Sequence, residues 1–200
     1  GGDRRVPRWN GSGRIFFSWC NLRCLYCQNW ESSWKGEGRE VENEELAGLM
    51  LGLQQAGCHN LNLVSPSHVV AQVLAAVEIA ARQGLSLPLV WNTGGYDSPE
   101  ALRLLDGVVD VYMPDIKYHD PEKARLYSDA ADYVPRNREA LRERQRQVGD
   151  LACEDDGVAR RGHQRGGHAH GHLQLRAGHH QPARQSVCHR QQQRHVHRRR

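Results

Sequence analysis

The feature that most restricts how this chain can fold is an alternation of short apolar runs with helix-length amphipathic segments between residues 14 and 148. Arg14 to Ser18, Asn60 to Val64, Leu87 to Trp91 and Val108 to Met113 are strand-length and rich in Phe, Leu or Val. Between them, Glu42 to Ala56 sets Leu46, Leu49, Met50 and Leu53 at helical spacing, with acids in the first turn and Gly57 just past the end. Val69 to Gln83 predicts a second helix, closed by Gly84. Ser98 caps a third, running to Leu105, with Pro99 in its first turn. Pro121 to Ala131 and Arg136 to Val148 predict two more, the last highly charged and exposed over most of its surface. Strands separated by helices predict parallel βαβ units with right-handed crossovers, hence an α/β fold built as an open sheet or a barrel.

In either architecture the working residues gather at the C-terminal ends of the strands. Those ends are Ser18 to Cys27, Ser65 to His68, Asn92 to Tyr96, and Asp115 to His119, and polar residues and glycines concentrate at all four.

Composition divides the chain at Gly162. The formal net charge is +4, yet all 23 acidic side chains lie in residues 1–162, which sum to −4. Residues 163–200 hold eight Arg, nine His, seven Gln and no acid. The basic excess is thus a property of the tail, and nucleic acid is not an expected partner of the body. The tail has neither strand alternation nor a helical apolar stripe, so it cannot bury enough apolar surface to offset chain ordering. The expected organisation is a core over 1–162 and a low-complexity basic tail over 163–200. The tail reads as disordered, as an out-of-frame continuation, or as a metal- or RNA-binding segment; the abrupt change at one point favours the second. The longest apolar stretch, Val69 to Ala81, is interrupted by Gln72 and Glu78 and falls short of the roughly 20 residues a membrane span needs. With no basic, apolar and cleavage regions in order near Gly1, a cytoplasmic protein with no membrane partner is expected. A chain starting at Gly1 is also expected to lack its natural N-terminal part.

Cys20, Cys24 and Cys27 place three thiols within eight residues, directly after the first strand. Three soft ligands on one loop suit an iron-sulfur cluster, zinc, or a disulfide with one thiol left over. Zinc sites usually combine two compact Cys or His pairs, and no second pair exists in the body, where Cys58 and Cys153 are isolated. A disulfide suits a chain without a secretion signal poorly. A 4Fe-4S cube held by three Cys keeps one iron open to a small molecule. Cys58 itself reads as a small buried hydrophobe at a strand start, and Trp9, Trp19, Trp30 and Trp34 as packing around the Cys loop.

Cys-x3-Cys-x2-Cys with Tyr26 before the third Cys, on the loop after the first strand, resembles the radical S-adenosylmethionine superfamily. The wider string Gly11 to Asn29 (GSGRIFFSWCNLRCLYCQN) is similar to pyruvate formate-lyase activating enzymes and, more closely, to their uncharacterised homologues. So are Asn60 to His68 (NLNLVSPSH), Asn92 to Tyr96 (NTGGY), Leu104 to Asp110 (LLDGVVD) and Pro114 to Tyr118 (PDIKY). The resemblance spans about residues 10 to 162. It implies a partial (β/α) barrel, truncated because the last strands of the family would have to come from the tail.

It further implies a 4Fe-4S cluster on Cys20, Cys24 and Cys27 whose open iron chelates S-adenosyl-L-methionine. Reductive cleavage of that ligand would yield a 5′-deoxyadenosyl radical, directed, as in the activating enzymes, at a glycyl-radical protein partner. A flavodoxin- or ferredoxin-type protein would donate the electron. Tyr26 and Gln28 would lie beside the adenine, and Asp115 and Lys117 would hold the ribose and methionine parts. Asn92 is a further polar candidate. Ser65 stands where many activating enzymes have a Gly-Gly-Glu-Pro turn that takes the ligand's amino group; Ser65-Pro66-Ser67-His68 replaces that turn here. The alternatives are a non-catalytic zinc- or cluster-binding protein with a nucleic-acid-binding tail, and an inactive fragment of the enzyme.

Overall fold

In the computed structural model, which describes residues 11–149 together with the backbone of 151–153, 158–161 and 175–176, the four apolar runs form one parallel sheet. Its strands are β1 (Gly13–Phe16), β2 (Leu61–Val64), β3 (Leu89–Thr93) and β4 (Val111–Pro114), hydrogen-bonded in the order β1-β2-β3-β4. The register pairs Ile15 with Leu63, Leu63 with Trp91, and Trp91 with Tyr112. An order that follows the sequence means that every crossover steps in the same direction, as in a barrel; a doubly wound sheet reverses at a switch point. All four C-terminal strand ends therefore share one edge.

The helices follow from the same spacing. Chain order gives α1 (Trp30–Ser33), α2 (Asn43–Gln55), α3 (Val70–Arg82), α4 (Pro99–Arg103), α5 (Pro121–Ser128) and α6 (Tyr133–Val148). On α2, Leu46, Ala47 and Met50 are buried, and on α3, Val73, Ala76 and Ala80. These residues pack with Leu61, Leu63, Leu89 and Trp91 in the main core. Each large side chain buried there contributes about 1.5–3 kcal/mol. All four residues of β2, an inner strand of the sheet, are buried. Ser98 caps α4 by accepting the Ala101 amide, and Asp120 caps α5 by accepting those of Glu122 and Lys123.

The last helix departs from expectation. It begins at Tyr133, three residues before Arg136, and buries Tyr133, Val134, Asn137, Ala140, Glu143 and Arg144. A helix this polar is buried where its polar groups find partners across the interface, and hydrophobic spacing is blind to that. The one-turn α1, inside the Cys-rich loop, carries no apolar period and is not foreseen either. A second sheet of three short antiparallel strands, β5 (Leu151–Cys153), β6 (Val158–Arg161) and β7 (Leu175–Arg176), lies where the apolar pattern predicts none. The remaining expectations for the tail, and Trp9, lie outside the described residues. Cys58 is buried as expected, but it is disulfide-bonded. No helix among the described residues is long and apolar enough to cross a membrane.

Candidate functional site

The three cysteines sit on the loop that carries the chain from β1 to α1. Cys20, Cys24 and Cys27 are free thiols, Cys24 buried and the other two half-buried. The loop is fastened to the end of α5: the Arg23 amide donates to the Ser128 carbonyl at 3.1 Å and the Leu25 amide to the Tyr127 carbonyl at 2.9 Å. These bonds satisfy carbonyls that a helix C-terminus leaves unpaired. The Trp34 indole donates to the Cys24 carbonyl at 3.2 Å. Trp19 and Trp30 are largely exposed, so Trp34 alone of the described tryptophans braces the cysteines from within hydrogen-bonding reach. Leu22, 3% exposed, anchors the loop among Ala124, Tyr133 and Val134.

Two sulfurs have hydroxyl neighbours. Ser128 donates to Cys24 Sγ at 2.9 Å, and Ser33 Oγ lies 3.1 Å from Cys27 Sγ. Burial pushes the Cys20 thiol up, and the nearby charges of Cys24 and Cys27 push it further. Three soft sulfur donors on one half-buried loop are a donor set that fits an iron-sulfur group. Among the described residues no group of three His, Cys, Asp or Glu side chains is arranged to hold a single metal ion. A cube takes each Cys at a separate corner and does not require convergence on one point.

The other strand ends meet this loop. Ser65, just after β2, adopts a left-handed backbone (φ +59°), donates its amide to the Asn92 carbonyl at 2.9 Å, and through its hydroxyl draws the Cys20 thiol's pKa down against burial. Ser67 instead points its hydroxyl at Asp97 Oδ1, at 2.5 Å. Asn92 occupies the half-buried penultimate position of β3. After β4, Lys117 Nζ donates to Asp115 Oδ2 at 2.6 Å and lies 5.9 Å from the Tyr26 ring centre. Burial pulls the Lys117 ammonium down, but the hydrogen bond and charge of Asp115 outweigh it and leave the pKa raised. Tyr26 is exposed over its ring and shares a 2.6 Å hydrogen bond with the Tyr118 hydroxyl. Gln28 is exposed on the Cys loop. The structure thus brings Tyr26, Asp115 and Lys117 into one group and Ser65 against Cys20.

Beneath these loops lies a layer of residues that motif spacing does not reveal. Tyr133 Oη accepts the Lys117 amide at 3.0 Å and donates toward the carbonyls of Gly94 (2.8 Å) and Asp115 (3.1 Å). Asn137 Nδ2 donates to the Gly95 and Asp115 carbonyls at 2.8 and 3.0 Å. One helix therefore clamps the loops after β3 and β4 to each other. Gly95 (φ +76°) is needed for this clamp, because a Cβ there would lie 2.1 Å from the Asp115 carbonyl and 2.3 Å from Asn137 Nδ2. Tyr96, Tyr133, Tyr118 and Tyr26 form a continuous row of rings, with successive centres 5.9, 5.3 and 6.5 Å apart. What the sequence shows of this layer is a tyrosine in three of the strand-end loops, Tyr26, Tyr96 and Tyr118.

A family model described as the Radical SAM superfamily matches residues 15–149, more than half of the chain and the whole of this site. The chain belongs to the radical S-adenosylmethionine superfamily. The α/β fold expected from the sequence is therefore that of a radical S-adenosylmethionine domain with a four-stranded parallel sheet. The chain is also 30% identical over 129 residues to the uncharacterized protein MJ0674 of Methanocaldococcus jannaschii, a match covering 61% of this chain and 38% of that protein. It thus spans well under half the length of that curated relative.

Proposed function

We propose that this radical S-adenosylmethionine protein holds a 4Fe-4S cluster on Cys20, Cys24 and Cys27 and binds S-adenosyl-L-methionine across the ends of β2, β3 and β4. The observation that carries this reading is the trio of free thiols on the loop after β1, next to a polar group at the ends of the other strands. When bound, the cluster supplies the electron that cleaves the sulfonium to methionine and a 5′-deoxyadenosyl radical. The protein's share is positional. Ser65 faces the cluster side and takes the ligand's amino group, while the Lys117 ammonium pairs with the ligand carboxylate. Asp115, freed from Lys117, accepts the ribose hydroxyls, and Tyr26 and Gln28 flank the adenine. Asn92 supplies a further polar contact from the end of β3. The clamp by Tyr133 and Asn137 keeps these loops from drifting, which a reaction through a diffusible-grade radical requires.

The finer reading is a glycyl-radical activating enzyme of the formate-lyase type. Its partners would be a glycyl-radical protein and a flavodoxin- or ferredoxin-type donor. Support comes from the string Gly11 to Asn29 and from the strand-end motifs, with Ser65-Pro66-Ser67-His68 as the point of difference.

The test is anaerobic reconstitution with iron and sulfide, dithionite reduction, and electron paramagnetic resonance with and without S-adenosyl-L-methionine. A reduced 4Fe-4S signal that shifts on adding the ligand is expected, and replacing Cys20, Cys24 or Cys27 by Ser abolishes it. Zinc uptake without a cluster, or full iron and sulfide in a Cys→Ser variant, overturns the assignment.

A further inference from the structure

Cys24 is the most buried of the three thiols, and its sulfur is approached by a hydroxyl from a residue 104 positions away in sequence. Ser128 ends α5 and is 1% exposed. It is held there by its own carbonyl, which accepts the Arg23 amide, so helix end and Cys loop are locked in register. Its Oγ lies 2.9 Å from Cys24 Sγ and 2.6 Å from the Tyr118 hydroxyl, which in turn lies 2.6 Å from the Tyr26 hydroxyl.

The polarity of this chain follows from counting hydrogens. A thiolate that ligates metal can only accept, so Ser128 spends its single O–H on Cys24. Tyr118 must then donate to Ser128, and Tyr26 to Tyr118. All three hydroxyls point toward the sulfur, and each bond polarises the next. Hydrogen bonds to cluster sulfurs withdraw electron density and set the reduction potential.

We propose that Ser128, oriented by Tyr118, is a positioning residue for the cluster: it donates a hydrogen bond to the Cys24 thiolate that raises the cluster's reduction potential, and the Tyr26–Tyr118–Ser128 chain connects that thiolate to the ligand side of the site. The proposal rests on the cluster assignment above. Because the Tyr26 oxygen is left as an acceptor at the open end, an N–H donor arriving beside Tyr26 strengthens every bond in the chain.

The experiment is a redox titration of the reconstituted protein, followed by electron paramagnetic resonance, on the wild type and on Ser128→Ala, Ser128→Thr and Tyr118→Phe. Ser128→Ala is expected to keep full iron and sulfide and to shift the midpoint to lower potential. Ser128→Thr, which keeps the hydroxyl, stays close to the wild type, and Tyr118→Phe shifts the midpoint in the same direction by a smaller amount. Full iron in Ser128→Ala with an unchanged midpoint overturns this proposal and leaves the cluster assignment standing. A wild-type protein that takes up no cluster overturns both. If Ser128→Ala does not fold, Tyr118→Phe decides: a downward shift supports the hydrogen-bond chain and an unmoved midpoint refutes it.

Discussion

Arg144, on the last helix, and Asp97, just after β3, form an ion pair whose side chains are only 4% and 3% exposed. Asp97 also accepts hydrogen bonds from Thr93 at 2.8 Å and Ser67 at 2.5 Å, so the turn after β2, the end of β3 and α6 meet at one carboxylate. Arg144 Nε and Nη1 are buried without a hydrogen-bond partner, so the pair is incompletely compensated for its desolvation. Removing one member strands a buried charge. Arg144→Met is expected to cost about 3–5 kcal/mol in guanidinium denaturation, and the double variant Asp97→Asn/Arg144→Met to cost clearly less than Asp97→Asn and Arg144→Met added together. Additive losses would show that the two residues are not energetically coupled.

Gly95 and Gly107 share nearly the same backbone, at φ +76° and +78°, but differ in surroundings. A Cβ at Gly107 meets nothing within 4 Å, whereas at Gly95 it collides with the Asp115 carbonyl and Asn137. Gly107→Ala therefore bears only the left-handed conformational cost of about 1–2 kcal/mol. Gly95→Ala bears that and the collision, and by parting the β3 and β4 loops it also weakens S-adenosyl-L-methionine binding. Parallel thermal melts and ligand titrations of the two variants check this; equal behaviour would remove the clamp from the site.

Lys117 keeps its raised pKa through Asp115, although burial works against the charge. An ammonium held charged in a partly buried place is suited to a ligand carboxylate. Lys117→Met is expected to weaken S-adenosyl-L-methionine binding at least tenfold, from the loss of a charged hydrogen bond worth about 1.5–3 kcal/mol. The ligand-induced change in the reduced cluster spectrum gives the affinity directly. Unaltered affinity would leave Lys117 as a partner of Asp115 alone.

Glu143 accepts hydrogen bonds from Arg146 and Gln147. The Arg146 guanidinium, helped by Gln147 and the Arg103 charge, holds its carboxyl down to about 2 from the usual 4.5. A folded pKa below the unfolded one means stability that is fully present above pH 4.5 and is lost as pH falls through about 2. Wild type should thus lose stability more steeply than Glu143→Gln between those limits. Denaturation midpoints at a series of acid pH values compare the slopes, and parallel curves would show that the interaction is absent.

The strands, the helices α2 to α5 and the cysteine loop could be read from the chain because each is encoded locally. Apolar residues at period 3.6 mark the buried stripes of α2 and α3, Ser98 and Asp120 sit where caps must sit, and three thiols in eight residues advertise themselves. The helix α6 was legible in existence but not in placement. Its buried face is written in Tyr133, Asn137, Glu143 and Arg144, polar residues whose burial depends on partners at Gly94, Gly95, Asp97 and Asp115 that no local period records.

By itself, then, the sequence determined the parallel α/β architecture, the common edge on which its strand ends lie and the identity of the candidate ligands Cys20, Cys24 and Cys27. The tertiary structure decided which residues surround them: that Ser128 rather than a nearer hydroxyl bonds Cys24, that Ser65 turns to Cys20 while Ser67 turns to Asp97, and that Lys117 rests on Asp115. The division has a physical cause. Hydrophobic periodicity and turn chemistry act between neighbours along the chain, whereas a polar side chain is committed by whichever complementary atom packing brings within 3 Å, and that atom here belongs to residues as many as 104 positions away.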